Sequence, residues 1–302
     1  MANSGATRLR AVSEWVEAAL LGRAVRALQW LSPEATSNLG GALARKLGPW
    51  LPISRVADDN LRRALPELDA TARARVIRGV WDNLGRTAAE LPHLASFRRT
   101  DAGPGWEIEG EAHVERLRDS GGQALFFSGH FGNWELILPV AASLGLPVAG
   151  VYRTASNAAV NRLIQSLRQK ALGHGVVMFP KGALGARAAL LHLRDGGSLG
   201  LLVDQKMNDG IAVPFFGRDA MTAPALAQFA RHFSVPILPV RVVRLGPARF
   251  RLVCDPPLQV TLTGDRTADL YEITLAVNQT LERWIRADPT AWLWLHRRWP
   301  KG

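Results

Sequence analysis

The first hundred residues place apolar side chains at helical spacing. The segment 70–91 has Trp81, Leu84 and Ala88 three or four residues apart, and the segment 57–68 has a similar pattern. This spacing puts apolar residues on one face of an α-helix. We therefore predict that this part of the chain is helical.

The pattern changes from residue 123 onward. Short apolar runs rich in Val, Leu and Phe appear there, with helical patterns at 157–172 and 186–194 between them. The runs are 123–128, 147–152, 175–180, 198–203 and 236–243. Strands that alternate with helices of these lengths predict an α/β fold, with a mainly parallel central sheet flanked by helices. We assign this domain to residues 46–302, preceded by an N-terminal helical, membrane-associating segment at 1–45.

The most helical stretch of that N-terminal segment, residues 12–32, is apolar but contains two glutamates and two arginines. A charge at the centre of a bilayer costs about 2.5 to 3.5 kcal/mol. We therefore expect a helix that lies in the membrane interface; the alternative is an amphipathic helix packed on the domain. The uncharged run 136–152 is too short and proline-broken to span, and predicts helix, turn and strand.

Polar residues follow four of the predicted strands directly. They are His130, Arg153, Lys181 and Asp204. If these strands are parallel, the four residues lie at one carboxyl edge of the sheet, where open α/β sheets bind ligands. The sequence thus predicts a site at this edge.

The charge pattern favours an anionic ligand. The chain has 37 Lys and Arg against 26 Asp and Glu, a net charge of +11, and residues 136–194 contain no acid but several basic residues, including Arg168. Such an excess is typical of proteins that bind nucleic acid, anionic lipid or acidic proteins. No basic-aromatic motif of nucleic-acid binding is present, so we expect no nucleic acid partner. The single cysteine, Cys254, suggests a reducing compartment.

His130 and Glu135 form a candidate catalytic pair. Five steps along a helix would set their side chains roughly 140° apart. They can meet if His130 lies in a turn before the helix and Glu135 in its first turn, with Gly129 and Gly132 letting the backbone fold back. The carboxylate could then hold one imidazole nitrogen and leave the other to take a proton from a hydroxyl. A capping or purely structural role for the pair is the alternative.

Other chemistries lack their motifs. Ser128 is not in a G-x-S-x-G elbow, and neither a phosphate-binding G-x-x-x-x-G-K-S/T loop nor a strand-linked G-x-G-x-x-G fingerprint is present. His130 and Glu135 do not form H-E-x-x-H, so we predict no metal site.

The segment "GHFGNWE" at 129–135 resembles the H-x4-Asp/Glu block of the late acyltransferases of lipid A biosynthesis, the lauroyl and myristoyl transferase family. The resemblance runs from about residue 10 to the end. It continues, in the family's order, with "YR" at 152–153, "DQKMNDGIAVPFFG" at 204–217, "MTAPALAQFA" at 221–230, "PILPVRV" at 236–242 and "DPTAWLWLHRRW" at 288–299; upstream, "NLRRALPEL" at 60–68 and "WDNLGRTAAELP" at 81–92 are also similar. The family often has an acidic residue where this chain has Lys206.

The resemblance implies a glycerolipid-acyltransferase-like fold and transfer of a fatty acyl chain from acyl carrier protein to a hydroxyl of a lipid A precursor. It implies His130 as the general base and Glu135 as the group that orients it, without a cofactor. Arg153, Asp204, Gln205, Lys181 and Arg168 are the candidates for substrate binding. The implied partners are acyl carrier protein, an anionic glycolipid acceptor and the cytoplasmic face of the inner membrane, with peripheral or monotopic attachment.

Two alternatives stay open. The acceptor could be a phosphatidylinositol mannoside or a glycerolipid, and the donor could be acyl-coenzyme A. A non-catalytic lipid-binding protein is the other. The tryptophans of 288–299 could anchor the chain at lipid headgroups or pack in the core, and Phe215 and Phe216 are expected in the core, with an acyl tunnel as the other possibility.

Overall fold

The computed structural model describes residues 3–146, 148–173 and 176–300, with side chains from Glu14 onward. Residues 1–2, 147, 174–175 and 301–302 lie outside the described residues. They include the start of the predicted N-terminal segment, the first residue of two predicted strands and the end of the predicted domain.

The predicted helical character of the first hundred residues is confirmed. The helices there are α1 Asn3–Leu28, α2 Pro33–Leu47, α3 Ser54–Ala64 and α4 Ala70–Glu90, with 3-10 turns at Gly48–Trp50 and Leu91–Ser96. Local chemistry sets their starts. The Ser32 hydroxyl accepts from Ala35 N with Pro33 at the first helical position, and Asp69 accepts from Ala72 N at the start of α4.

The rest of the chain alternates strands and helices. The strands are β1 Gly105–Glu109, β2 Leu125–Ser128, β3 Val148–Tyr152, β4 Met178–Pro180, β5 Ser198–Leu202, β6 Lys206–Phe215, β7 Arg218–Thr222, β8 Ile237–Gly246 and β9 Arg249–Cys254. The helices are α5 Glu111–Asp119, α6 Ile137–Ser143, α7 Ala158–Leu172, α8 Ala183–Arg194, α9 Ala225–Phe233 and α10 Arg266–Ala287, with a 3-10 turn at Trp134–Leu136.

Seven strands form one sheet in the order β1-β9-β8-β2-β5-β3-β4. The five strands β8, β2, β5, β3 and β4 are mutually parallel, while β9 is antiparallel to β8 and parallel to β1. The mainly parallel sheet flanked by helices is therefore as the sequence predicts. The sequence did not predict β1, β9 or the separate antiparallel hairpin of β6 and β7.

The core lies on both faces of this sheet. All four residues of β2 are buried, as a central parallel strand requires. Trp292, Trp294 and Trp299 are buried with Phe215 and Phe216. These aromatic side chains therefore pack in the core, and the tryptophans of 288–299 are not lipid-headgroup anchors.

None of the helices within the described ranges is both long enough and apolar enough to cross a membrane. The division into a segment at 1–45 and a domain at 46–302 stays a prediction.

Candidate active site

The strand register brings His130 and Asp204 together. Strands β2 and β5 are neighbours with Ser128 opposite Leu202, so the second residue beyond each strand is His130 on one side and Asp204 on the other. Both strands run in the same direction, and both residues therefore emerge at the carboxyl edge. Their proximity is a direct result of strand order.

Three hydrogen bonds fix the Asp204 carboxylate. His130 Nδ1 donates to Oδ1 at 2.8 Å, and Oδ2 accepts from His130 N at 2.9 Å and from Trp292 Nε1 at 2.7 Å. An ionised carboxylate only accepts, so Nδ1 carries the ring proton. This leaves Nε2 of the neutral imidazole with a lone pair, and the side chain is 17% exposed.

Charge and burial have opposite effects on the pKa values of His130 and Asp204. Burial, the largest effect on His130, lowers its pKa, but the charge of Asp204, its hydrogen bond and the charge of Glu135 together raise the pKa above the ordinary 6.5. Burial raises the pKa of Asp204, yet the charge and hydrogen bonds of His130 outweigh it and hold that pKa well below its usual range. The pair is therefore a carboxylate next to an imidazole made more basic.

The turn that carries His130 is shaped by Gly132. Its φ is +52°, and a Cβ there would lie 2.4 Å from the carbonyl oxygen of Val242. The Gly132 carbonyl accepts from Asn83 Nδ2 at 3.1 Å and Thr87 Oγ1 at 2.9 Å, both on α4. Glycine at this position therefore lets the backbone fold back as expected, and helix α4 holds it there.

The prediction that the Glu135 carboxylate holds the His130 ring is wrong. Glu135 lies in the 3-10 turn after His130, but its carboxylate is bound by Arg168 of α7, with Nε to Oε2 at 2.7 Å and Nη2 to Oε1 at 2.6 Å. Asp204, through Nδ1, has the role of holding one imidazole nitrogen that the sequence assigned to Glu135. The physical reason is that the bidentate geometry of the guanidinium suits Glu135, while strand order gives the imidazole a nearer carboxylate.

The other predicted residues lie along the same edge. Arg153 follows β3 and Lys181 follows β4, and both are exposed; Gln205 is half-buried next to Asp204. At about 4.8 Å per strand, β3 lies about 10 Å and β4 about 14 Å from β2 in the sheet order. Neither Arg153 nor Lys181 makes an ion pair with the described residues. The carboxyl edge of the sheet thus runs from the buried His130–Asp204 pair to the exposed basic side chains of Arg153 and Lys181.

Comparison with known proteins decides between the possible classes. The family model for the bacterial lipid A biosynthesis acyltransferases matches residues 3–301. The chain belongs to this family. It is therefore an acyltransferase of the lipid A biosynthesis type, and the match to the family covers almost the whole chain. A search among curated proteins gave no match.

Sequence reasoning missed a C-terminal segment of this acyltransferase that packs against the turn carrying His130. Phe131 and Trp292 form an antiparallel bridge, Leu293 N donates to the His130 carbonyl at 3.1 Å, and Gly132 N donates to the Ala291 carbonyl at 3.1 Å. The signal was present in the block "DPTAWLWLHRRW", but nothing in that block indicates that its first tryptophan reaches Asp204.

Two more polar side chains lie behind Asp204. His296 Nε2 donates to the Asp204 carbonyl at 3.3 Å, and burial lowers the pKa of His296. Arg298 is fully buried, donates to Met221 O at 3.0 Å and to Thr222 Oγ1 at 2.7 Å, and its pKa is lowered by burial to about 10. The charge of Asp204 partly offsets this lowering of the Arg298 pKa.

Across the described residues, no group of three or more His, Cys, Asp or Glu is placed to hold a metal ion. The arrangement is that of a base with its orienting carboxylate. The Nε2 lone pair can accept a proton from a hydroxyl, while Asp204 stabilises the imidazolium that forms.

Proposed function

We propose that this acyltransferase moves a fatty acyl chain from acyl carrier protein to a hydroxyl of a lipid A precursor, with His130 as the general base. The observation that supports the proposal is the fixed tautomer of His130: Nδ1 donates to the buried Asp204, which leaves Nε2 as a proton acceptor. The family supplies the reaction class, and the site supplies a group that can begin it.

The reaction proceeds by direct attack. Nε2 of His130 takes the proton as the acceptor oxygen bonds to the thioester carbonyl carbon, and the carbon–sulfur bond then breaks. The imidazolium returns the proton to the leaving thiolate, so the products are an ester and a thiol. No covalent acyl-enzyme and no cofactor are needed in this series of reaction steps. Asp204 keeps the ring in position and balances its charge throughout.

Glu135 has a different role from the one the sequence suggested. It holds Arg168 in a bidentate pair and places a negative charge near the imidazole, which raises the pKa of His130. In the proposal Arg168 is thereby positioned beside the reacting groups, where a guanidinium suits a phosphate or a developing oxyanion. Arg153, Lys181 and Gln205 remain proposed substrate contacts along the same edge.

The charge of the chain suits the proposed partners. The acceptor and acyl carrier protein are both anionic, and the basic residues at 136–194 would attract both. We place the enzyme at the cytoplasmic face of the inner membrane, attached peripherally, because its acceptor is a lipid. Positive charge near anionic headgroups favours such attachment by about 1 kcal/mol per residue.

The test is acyl transfer from labelled acyl carrier protein to the tetra-acylated Kdo-lipid A precursor, with wild type and His130→Ala compared. We expect transfer by the wild type and a loss of about 10² to 10⁴ in the variant. Acyl-coenzyme A, a phosphatidylinositol mannoside and a glycerolipid are tested in parallel as donor and acceptors. Transfer undiminished in a folded His130→Ala protein would overturn the assigned base.

A further inference from the structure

Exposed large apolar side chains of the described chain are concentrated around α2. Twenty large apolar side chains are exposed in the described residues, and eight of them fall within residues 30–53. We call these eight the α2 surface: Trp30, Leu31, Leu39, Leu43, Leu47, Trp50, Leu51 and Ile53. Clusters of this kind mark sites of protein or membrane contact.

The side of α2 that packs against α4 is formed by small residues, which explains why the leucines of α2 are exposed. Small residues bring α2 against α4 so closely that a Cβ on Gly40 would lie 2.4 Å from the Gly85 carbonyl oxygen. Ser37 donates from the same inner side to Glu90 at 2.6 Å. Leu39, Leu43 and Leu47 repeat every four residues, and therefore share another side of the helix.

Tryptophans stand at both ends of this helix. Trp30, which precedes α2, is 91% exposed, and Trp50, which follows it, is 87% exposed. Indole rings with an apolar body and a polar N–H are enriched at the level of lipid headgroups. Their position before and after a row of leucines is the arrangement of a helix that lies along a bilayer surface.

The charges around the α2 surface are positive. Residues 20–56 contain Arg23, Arg26, Arg45, Lys46 and Arg55, against a single acid, Glu34. All five basic residues are exposed, and because Arg45 also pairs with Asp82 of α4 at 3.0 Å, the positive excess rests on the other four. A second copy of this surface would bring like charges together, whereas an anionic bilayer complements them.

We infer that the α2 surface is the face by which this protein docks on an anionic lipid bilayer. The inference deepens the proposed function and rests on it, since an acceptor embedded in a membrane must be reached from the bilayer surface. The α2 surface overlaps the predicted membrane-associating segment at 1–45 and extends beyond it to Ile53, whereas the interfacial helix was expected at 12–32.

The connection to the active site is short. Helix α4, on which α2 packs, donates from Asn83 and Thr87 to the turn that carries His130. Glu90 of α4 accepts from Ser37 on one side and from Asn133 of that turn at 2.8 Å on the other. Docking through α2 therefore places a bilayer one helix layer from the catalytic turn.

The test compares two leucines of equal exposure. Leu43, in α2, is 52% exposed, and Leu262, outside the α2 surface, is 51% exposed. Full-length wild type, Leu43→Glu and Leu262→Glu are floated with vesicles of phosphatidylglycerol and phosphatidylethanolamine, and with phosphatidylcholine alone. We expect Leu43→Glu to weaken binding to anionic vesicles by about tenfold or more, and Leu262→Glu to leave it within about twofold.

Acyl transfer separates this inference from the proposed function. For Leu43→Glu we expect transfer to fall with vesicle-borne acceptor and to stay near the wild-type rate with acceptor dispersed in detergent. Circular dichroism and thermal unfolding check that both variants fold. Equal vesicle binding by all three proteins, or a wild-type dimer that Leu43→Glu dissociates, would overturn the inference. Vesicle binding without any acyl transfer would instead refute the proposed function alone.

Discussion

Replacing Asp204 with asparagine tests which carboxylate orients the proposed base, His130. Asparagine has nearly the same shape, and its amide oxygen can still accept from His130 N and Trp292 Nε1, the two donors that lie 2.9 and 2.7 Å from Oδ2. Its amide nitrogen then faces His130 Nδ1. Because that nitrogen is a donor, Nδ1 must accept, and the ring proton moves to Nε2. The atom that has to take the proton is then already protonated.

The expected loss follows from this change of tautomer. An equivalent change in serine-protease triads lowers kcat by about 10⁴, and removal of a general base costs about 10² to 10⁴. We expect Asp204→Asn to lower kcat by about 10³, which equals about 4 kcal/mol of transition-state stabilisation, with little change in KM. Glu135→Gln is the matched control. It keeps an oxygen for Arg168 and leaves Asp204 on Nδ1, so we expect a loss of less than about tenfold.

The assay is the initial rate of labelled acyl transfer, with the tautomer of His130 read from its ¹⁵N chemical shifts. Thermal unfolding confirms that both variants are folded. The reasoning is refuted if Asp204→Asn retains at least a tenth of the wild-type rate while Glu135→Gln loses 10³. That result would make Glu135 the orienting group, as the sequence suggested.

Three further predictions concern Trp292, Glu90 and His130. Trp292→Phe keeps the aromatic packing but removes the N–H that donates a hydrogen bond to Asp204. We expect kcat to fall by about tenfold and the acid limb of the pH–rate profile to move. A merely structural change would not move that limb. Glu90→Gln leaves the charge of Arg244 without its buried partner, so denaturant unfolding should show a loss of about 3 to 5 kcal/mol, and a change below about 1 kcal/mol would contradict this. The pKa of His130 is raised above 6.5; since only the neutral ring takes a proton, kcat/KM should rise with pH through that elevated pKa, and a limb centred below 6.5 would refute the assignment.

Much of the fold could be predicted from local patterns. The short apolar runs and the helices between them gave the parallel strands β2, β3, β4 and β5, and the polar residue after each one. The antiparallel β9 and the edge strand β1 were missed because both contain alternating charged residues, Arg249, Arg251, Glu107 and Glu109, which pair across the two strands. Such a segment does not have the continuous apolar run of a buried parallel strand.

The site shows where local reasoning stops. His130 could be identified from its place after a buried strand, but its partner could not. Glu135 was chosen because it is near in sequence, whereas Asp204 is near only because β5 lies beside β2. Strand order depends on the packing of the whole sheet. The same holds for Trp292, which reaches Asp204 from 88 residues further along the chain.

The three parts of the site come from distant points of the chain, with 74 residues between His130 and Asp204 and 88 between Asp204 and Trp292. Contacts of such long range carry a larger loop-closure entropy cost than local contacts do. A molecule that lacks these contacts has an imidazole without its carboxylate, and a carboxylate without its indole. The arrangement of base, carboxylate and indole is therefore a property of the complete tertiary structure and of no single segment of the chain.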